Sequence, residues 1–189
     1  MEVHDVVVRR ELGPGDIDAI VALHDRVYRG EYGADERWVQ TIRSAIEHAV
    51  RRGWPGESAL GSLWLVQRDG RLVGSLALVL ECPRVGNLDW FVLDADLRGR
   101  GLGRRLVSDL IAEARSRWME KLKVETFSKL TAAGRIYRAA GFSVVWQRET
   151  DWHDERVIHQ HYELTLAPAM RPSQDLASPG RTEDRGHRG

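Results

Sequence analysis

The sequence has little that would place the protein in a membrane or outside the cell. It contains a single cysteine, Cys82, so no disulfide can form within the chain, which fits a reducing compartment. No apolar segment approaches the ~20 residues that a membrane-spanning helix needs, and the N-terminus has no basic region followed by an apolar stretch. We therefore expect a cytoplasmic protein without a membrane partner.

An excess of charge of one sign is also absent. Lysine and arginine number 28, as do aspartate and glutamate, so the formal net charge is zero, which argues against an arginine-rich nucleic-acid binder.

With 189 residues, the chain can bury a real core in one domain, which we expect over residues 1–167. Residues 168–189 are rich in Pro, Ser, Gly and Arg and poor in apolar side chains, so they are expected to form a disordered tail.

The most prominent motif lacks the features of two common phosphate-binding loops. Residues 98–105 read Arg-Gly-Arg-Gly-Leu-Gly-Arg-Arg, without the Gly-Lys-Ser/Thr of a Walker A loop or the spacing G-x-G-x-x-G. They lie between an apolar strand over 88–93 and a helix over 102–118 with one apolar face. The first N–H groups of such a helix lack intrahelical partners, and its dipole adds positive charge there. We therefore predict a pyrophosphate site, and the alternative is an ordinary tight turn with solvated arginines.

The other segments predict a mixed sheet flanked by helices. Further strands are expected over 3–10, 63–68, 72–81, 122–126, 142–148 and 157–166, and further helices over 17–28, 35–51 and 130–140. Asp69-Gly70 is a strong hairpin signal, and Asp16 is placed to cap the first helix. The crossover through the 102–118 helix favours a parallel pair between its flanking strands, so the order predicts an α/β or α+β fold.

Two motifs resemble one enzyme family. Arg98-x-x-Gly101-x-Gly103 resembles the acetyl-CoA pyrophosphate loop of the GCN5-related N-acetyltransferase (GNAT) family, and residues 130–142 resemble its late segment, a short helix that carries a tyrosine and ends in Gly-Phe. The resemblance covers residues 3–166. It implies a mixed, mostly antiparallel sheet of about seven strands with about four helices and a splay between the fourth and fifth strands. More narrowly, acetyltransferase domains fused to MarR-type DNA-binding domains are resembled by the late segment together with His24, Tyr28, Glu31-Tyr32-Gly33 and Asp35.

The resemblance also implies a donor, acetyl-CoA, and a place for it. The pantetheine arm would lie in the splay against the backbone of strand 88–93, and the Leu93 N–H would polarise the thioester oxygen. The implied cofactor-binding residues are Phe91, Val92, Leu93, Arg98, Gly99, Arg100, Gly101, Leu102, Gly103 and Arg104. The chain departs from the family in having Ala95 where Pro is common and Phe127 where Asn is common.

The resemblance implies that two side chains transfer protons during the reaction. Tyr137 would act as general acid toward the departing CoA thiolate, and Glu125 would act as base toward the amine. Three alternatives stay open at this point: Tyr137 could instead be a core aromatic, Asp89 competes with Glu125 as the base, and water could deprotonate the amine.

The acceptor is expected to bind near the first two helices. The implied substrate residues are Tyr28, Glu31 and Tyr32, to which Asp35, Trp152 and Asp154 could add, and together they suit a cationic amine with some apolar surface. His153, His159 and His161 match no usual zinc spacing, and strand alternation would bring together His159 and His161 as a pair at most, so no metal is expected.

The sequence thus predicts an N-acetyltransferase. It would move an acetyl group from acetyl-CoA to a primary amine of a small molecule or a protein, by direct transfer in a ternary complex. The alternative is a catalytically inert acyl-CoA-binding module of the same fold. A monomer or a homodimer is expected.

Overall fold

The computed structural model describes residues 6–55, 61–152 and 155–166. Within these residues the strands are β1 (Val7–Arg9), β2 (Gly61–Arg68), β3 (Arg71–Cys82), β4 (Val85–Leu93), β5 (Lys121–Phe127), β6 (Ser143–Trp152) and β7 (Glu155–Thr165). The helices are α1 (Asp16–Tyr32), α2 (Glu36–Arg51), α3 (Leu102–Ser116) and α4 (Thr131–Ala139), and a short 3-10 turn covers Ala95–Leu97. The predicted tail over 168–189 lies outside the described residues.

The strands form one mixed sheet, as predicted. Its order is β1-β2-β3-β4-β5-β7-β6, and every neighbouring pair is antiparallel except β4 and β5. The parallel pair follows from the crossover through α3, because two parallel neighbours cannot be joined by a tight turn. The expected fold is therefore confirmed, including its strand and helix order.

The expected splay between β4 and β5 is present. The two strands pair only from Val85–Asn87 to Lys121–Lys123, and the residues beyond diverge. A bulge bends β4 at this point: its register against β3 shifts, and Trp90 has a φ of 48°. The Ser75 hydroxyl donates to the Trp90 carbonyl at 2.6 Å and so holds the bulge in place. The result is a gap in the middle of the sheet.

Helices cover both faces of the sheet. On one face, α3 and α4 pack against the sheet through a buried cluster that includes Leu106, Leu110 and Tyr137. On the other, α1 and α2 bury a second cluster that includes Ile20 and Ile46. The gap between β4 and β5 therefore lies between two packed layers, which give it rigid walls.

Of two local predictions, the hairpin at Asp69-Gly70 is confirmed and the helix cap at Asp16 is wrong. Asp69 and Gly70 both have positive φ, 51° and 73°, so the predicted Asp-Gly hairpin is confirmed. The predicted cap at Asp16 is wrong, because the N-cap is Gly15 and Asp16 is the first helical residue. Its carboxylate instead accepts from the Gly13 N–H at 2.5 Å and pairs with Arg9 at 2.6 Å. The carboxylate therefore joins the start of α1 to β1 and to the loop before the helix.

His24 on α1 is expected to make stability depend on pH. It is 1% exposed, its Nδ1 bonds the Ile20 carbonyl at 2.9 Å, and burial lowers its pKa to about 4. The folded state thus binds a proton less readily than the unfolded state, so this contribution is complete above pH 6.5 and is lost as pH falls toward 4. The loss is about 3 kcal/mol, since one pKa unit corresponds to ~1.4 kcal/mol.

Denaturant unfolding at pH 7 and at pH 4 would measure this effect, with His24→Gln as the variant that cannot titrate. Wild type should lose more free energy of unfolding across that interval than the variant does. Equal losses would show that the histidine is not held neutral.

Candidate active site

A cavity of about 700 Å³ occupies the gap between β4 and β5. It extends from the glycine-rich turn before α3 to the aromatic side chains of α1 and α2. All the predicted cofactor-binding residues line it except Arg100 and Leu102. The Leu102 side chain is 5% exposed and lies in the core, as its place on the apolar face of α3 requires, while its backbone N–H is the first amide of that helix.

The three glycines of the turn have two different physical roles. Gly99 and Gly101 have φ values of 75° and 85°, a left-handed backbone that other residues adopt only at a cost. Gly101 is the N-cap of α3 and supplies no side chain, so nothing caps the first N–H groups of the helix. Gly103 is needed for space, because a Cβ there would lie 3.0 Å from Ile136 Cδ1 and 3.2 Å from Phe91 Cζ. The turn is therefore shaped to bring unpartnered amides to the cavity.

The arginines of the turn are not equivalent. Within the described ranges, Arg100 and Arg104 are exposed and form no ion pair within 4.0 Å, although the charge of Arg100 helps to lower the pKa of Asp96. Arg98 pairs with both carboxylate oxygens of Glu31, at 2.5 and 2.9 Å, and its Nε–H donates to the Leu93 carbonyl at 2.9 Å. It therefore ties the end of α1 to the end of β4. Glu31 does not line the cavity, so the structure places this predicted substrate residue against Arg98 instead.

The edge of β4 that faces the gap presents the backbone N–H of Leu93. The Asp94 N–H donates to the Val73 carbonyl at 2.8 Å, and the next pair along the ladder is Leu93 with Gly74. Backbone groups of successive residues alternate between the two edges of a strand. The Leu93 N–H therefore points away from β3 and into the gap, where an extended ligand could pair with it.

Tyr137 is a core aromatic that also lines the cavity, and its role as general acid stays a prediction. It is 3% exposed and packs against the rings of Phe91, Phe142 and Tyr162, at 5.9–6.3 Å between centroids, yet it also lines the cavity. Burial raises its pKa well above the usual value, with Tyr28 and Asp89 adding to the effect. The hydroxyl is therefore protonated at neutral pH, as in an ordinary tyrosine, and burial makes it a weaker acid than an exposed one.

Two carboxylates face the cavity from opposite sides of the gap. Asp89 on β4 is partly buried, and this burial, with a smaller effect of the Glu125 charge, raises the pKa of Asp89 to about 6. Glu125 on β5 is 64% exposed. The environment therefore distinguishes two acids that sequence reasoning could only name as competitors.

Two histidines contact Glu125, which sequence reasoning did not find. His159 Nε2 lies 3.2 Å from one carboxylate oxygen and His161 Nε2 lies 3.4 Å from the other. They meet because β5 and β7 are adjacent, with Glu125 opposite His161. The spacing of His159 and His161 was visible in the sequence, but the strand register was not. The third histidine of the sequence analysis, His153, lies outside the described residues.

Aromatic side chains close the end of the cavity opposite the glycine turn. Trp38 lies 5.4 Å from Tyr28 and 4.8 Å from Trp152 between ring centroids, and Phe127 lies 4.6 Å from Trp152. Tyr28 and Tyr32, two of the predicted substrate residues, line the cavity at this end, and their role stays a prediction. Trp38 and Phe127 line it as well and were not predicted as site residues.

The two remaining acceptor candidates have other positions. Asp35 accepts the Trp38 N–H at 3.0 Å and so caps α2, as the Asp before a helix commonly does. Asp154 lies outside the described residues.

Among the residues that the structure does describe, no helix is both long and apolar enough to cross a membrane.

Comparison with known proteins identifies the family. The sequence profile of the Acetyltransferase (GNAT) family matches residues 18–142. The chain therefore belongs to the GNAT family, and the predicted resemblance is confirmed at this level.

Two curated relatives match in sequence. Glucosamine 6-phosphate N-acetyltransferase 1 of Oryza sativa subsp. japonica is 37% identical over 107 residues, which cover 51% of this chain and 63% of that protein. Mycothiol acetyltransferase of Sanguibacter keddieii is 31% identical over 141 residues, which cover 71% of this chain and 42% of that protein. The matches thus span less than two thirds of the length of both relatives.

Solved structures share the fold. An acetyltransferase from Streptococcus agalactiae superposes with a TM-score of 0.68 at 21% identity, over 86% of this chain and 99% of that one. A GNAT family acetyltransferase from Elizabethkingia anophelis, with acetyl-CoA bound, has a TM-score of 0.59 at 13% identity, over the same shares of the two chains. At these identities the likeness extends to the fold alone.

Proposed function

We propose that the protein is an acetyl-CoA-dependent N-acetyltransferase that transfers the acetyl group directly to a primary amine in a ternary complex. The observation that carries this proposal is the gap between β4 and β5, which joins an anion site to a wall of aromatic and acidic side chains. One end suits the pyrophosphate of the donor, and the other suits the acceptor. Family membership supports the same assignment.

The donor would lie along β4. Its pyrophosphate would accept hydrogen bonds from the first amides of α3, with Arg100 and Arg104 adding positive charge. The pantetheine arm would pair with the free edge of β4, and the Leu93 N–H would donate to the thioester oxygen. This interaction strengthens as negative charge develops on that oxygen in the transition state.

Asp89 and Tyr137 would move the protons. The bound ammonium first gives one proton to a base, and the neutral amine nitrogen then attacks the thioester carbon. The carbon–sulfur bond breaks, the sulfur leaves as a thiolate, and the nitrogen releases its second proton to water. We assign the first proton to Asp89, because a carboxylate whose pKa is raised to about 6 is both largely ionised at neutral pH and a better base than an ordinary aspartate. The Tyr137 hydroxyl would protonate the thiolate. Glu125, the base expected from sequence, would instead raise the basicity of Asp89 by its charge.

The acceptor would be a cationic amine with an apolar body. Asp89 and Glu125 provide negative charge, and Tyr28, Tyr32 and Trp38 provide aromatic surface at the same end of the cavity. The names of the two curated relatives include an amino sugar phosphate and a thiol compound, which agree with a small-molecule acceptor without naming the one used here. The narrower resemblance to MarR-fused domains stays a prediction, as does the choice between a monomer and a homodimer.

Tyr137→Phe tests the proposal together with a panel of primary amines. Wild type should release free CoA thiol only when acetyl-CoA and a suitable amine are both present. The variant should bind acetyl-CoA with an unchanged Kd and turn over about 100-fold more slowly, because a general acid contributes at least that much. Wild-type protein that binds acetyl-CoA but releases no thiol with any amine would favour the inert acyl-CoA-binding module. Equal turnover by wild type and variant would remove the acid role from Tyr137.

A further inference from the structure

We propose that Glu125, His159 and His161 form a binding site for a divalent transition-metal ion of the zinc class. The three side chains come from two neighbouring strands, β5 and β7, and their potential ligand atoms all lie within 4.8 Å of one another. Two imidazoles and one carboxylate are a donor set that Zn²⁺ uses in proteins, with a fourth position left to water.

The separations between Glu125 and each imidazole are close to the ligand–ligand separation of a tetrahedral site. Ligand atoms at about 2.0–2.1 Å from Zn²⁺ in a tetrahedron lie about 3.3–3.4 Å from each other. In the structure, His159 Nε2 and His161 Nε2 lie 3.2 and 3.4 Å from the two oxygens of Glu125. Each imidazole faces a different carboxylate oxygen, and the ligand atoms of the three residues lie within 4.8 Å of one another, so rotation of the side chains would have to draw them together around a single ion.

The sheet holds this arrangement in place. Glu125 pairs with His161 across the β5–β7 ladder, and His159 lies two residues away on the same face of β7. The Trp146 ring packs on both imidazoles, at 5.8 Å from His159 and 4.6 Å from His161. Among the described residues, no lysine or arginine pairs with Glu125, so no other cation of the protein occupies the carboxylate.

Because the metal site lies beside the cavity, an ion bound there should also affect catalysis. This expected effect rests on the proposed function. Glu125 and His159 also line the acceptor end of the cavity. A bound divalent ion would neutralise the Glu125 charge and place net positive charge where a cationic amine is expected. Zn²⁺ should therefore raise the KM for the amine.

Calorimetric titration of untagged protein with Zn²⁺ tests the site without any enzyme assay. We expect one ion per chain, with binding at least ~10-fold weaker in His161→Gln, since even the loss of an outer partner of a metal ligand costs 10–100-fold. His48→Gln is the matched control, because His48 is an exposed histidine on α2 outside this cluster. Its affinity for Zn²⁺ should equal that of wild type. Substitution by Co²⁺ should add visible absorption typical of a tetrahedral site in wild type and not in His161→Gln.

Equal Zn²⁺ affinity of wild type and His161→Gln would overturn the site, as would a loss of binding in His48→Gln. The effect on catalysis is separable from these results. If Zn²⁺ binds through His161 but leaves the KM for the amine unchanged, the metal site stands and its link to the acceptor is wrong. If no amine is acetylated at all, the titration still decides whether the ion binds.

Discussion

Gly101→Glu is expected to abolish measurable binding of acetyl-CoA. Gly101 is the N-cap of α3, and the first amides of this helix are the proposed partners of the pyrophosphate. A Cβ at this position would meet nothing closer than Arg104 Nη2 at 3.9 Å, so the new carboxylate would have room to occupy the anion site itself. Like charges placed together cost several kcal/mol, which corresponds to a loss of affinity of at least ~100-fold. Calorimetric titration with acetyl-CoA measures the effect directly.

Gly101→Ala is the control that separates charge from backbone strain. Both variants place a side chain at a φ of 85°, which costs about 1–2 kcal/mol of stability in either case. Only the glutamate adds a negative charge. The alanine variant should therefore retain most of the affinity while matching the glutamate variant in thermal stability. If the two variants bound acetyl-CoA equally well, the pyrophosphate would have to lie elsewhere.

Local signals explain what the sequence could predict. The glycine turn between an apolar strand and an amphipathic helix, and the Asp69-Gly70 hairpin, are encoded within a few neighbouring residues, and the structure shows both. The order of helices and strands follows from similar short-range patterns. The cap predicted at Asp16 failed, because the helix begins one residue earlier than expected, with Gly15 as N-cap, and the Asp16 carboxylate binds Arg9 and the Gly13 N–H.

The site depends on information that local patterns do not contain. The contact between Glu125 and His161 requires the register of β5 against β7, and the pair of Arg98 with Glu31 requires the end of α1 to reach the end of β4. The difference between Asp89 and Glu125 is a difference in burial, which depends on the bulge in β4 and on the helices that cover it. A sequence can therefore nominate both acids, whereas only the folded chain assigns them different properties.

Asp89→Asn is expected to lower kcat/KM by about 100-fold or more, the usual contribution of a general base. Burial and the Glu125 charge raise the pKa of Asp89 to about 6, and the carboxylate must be ionised to accept a proton. The kcat/KM of wild type should therefore rise with pH and level off above about 6. The variant should lack this rise. Since burying the ionised carboxylate disfavours the folded state at neutral pH, the variant should be at least as stable as wild type at pH 7, which excludes unfolding as the cause.

Glu125→Gln completes this test, because it removes the neighbouring charge and leaves Asp89 in place. That charge raises the pKa of Asp89, so its removal should move the rise in kcat/KM to lower pH while the rise itself persists. The opposite pattern, in which Glu125→Gln abolishes the rise and Asp89→Asn keeps it, would make Glu125 the base. A profile unchanged by both substitutions would assign proton removal to water, and the two carboxylates would then serve only to attract the amine.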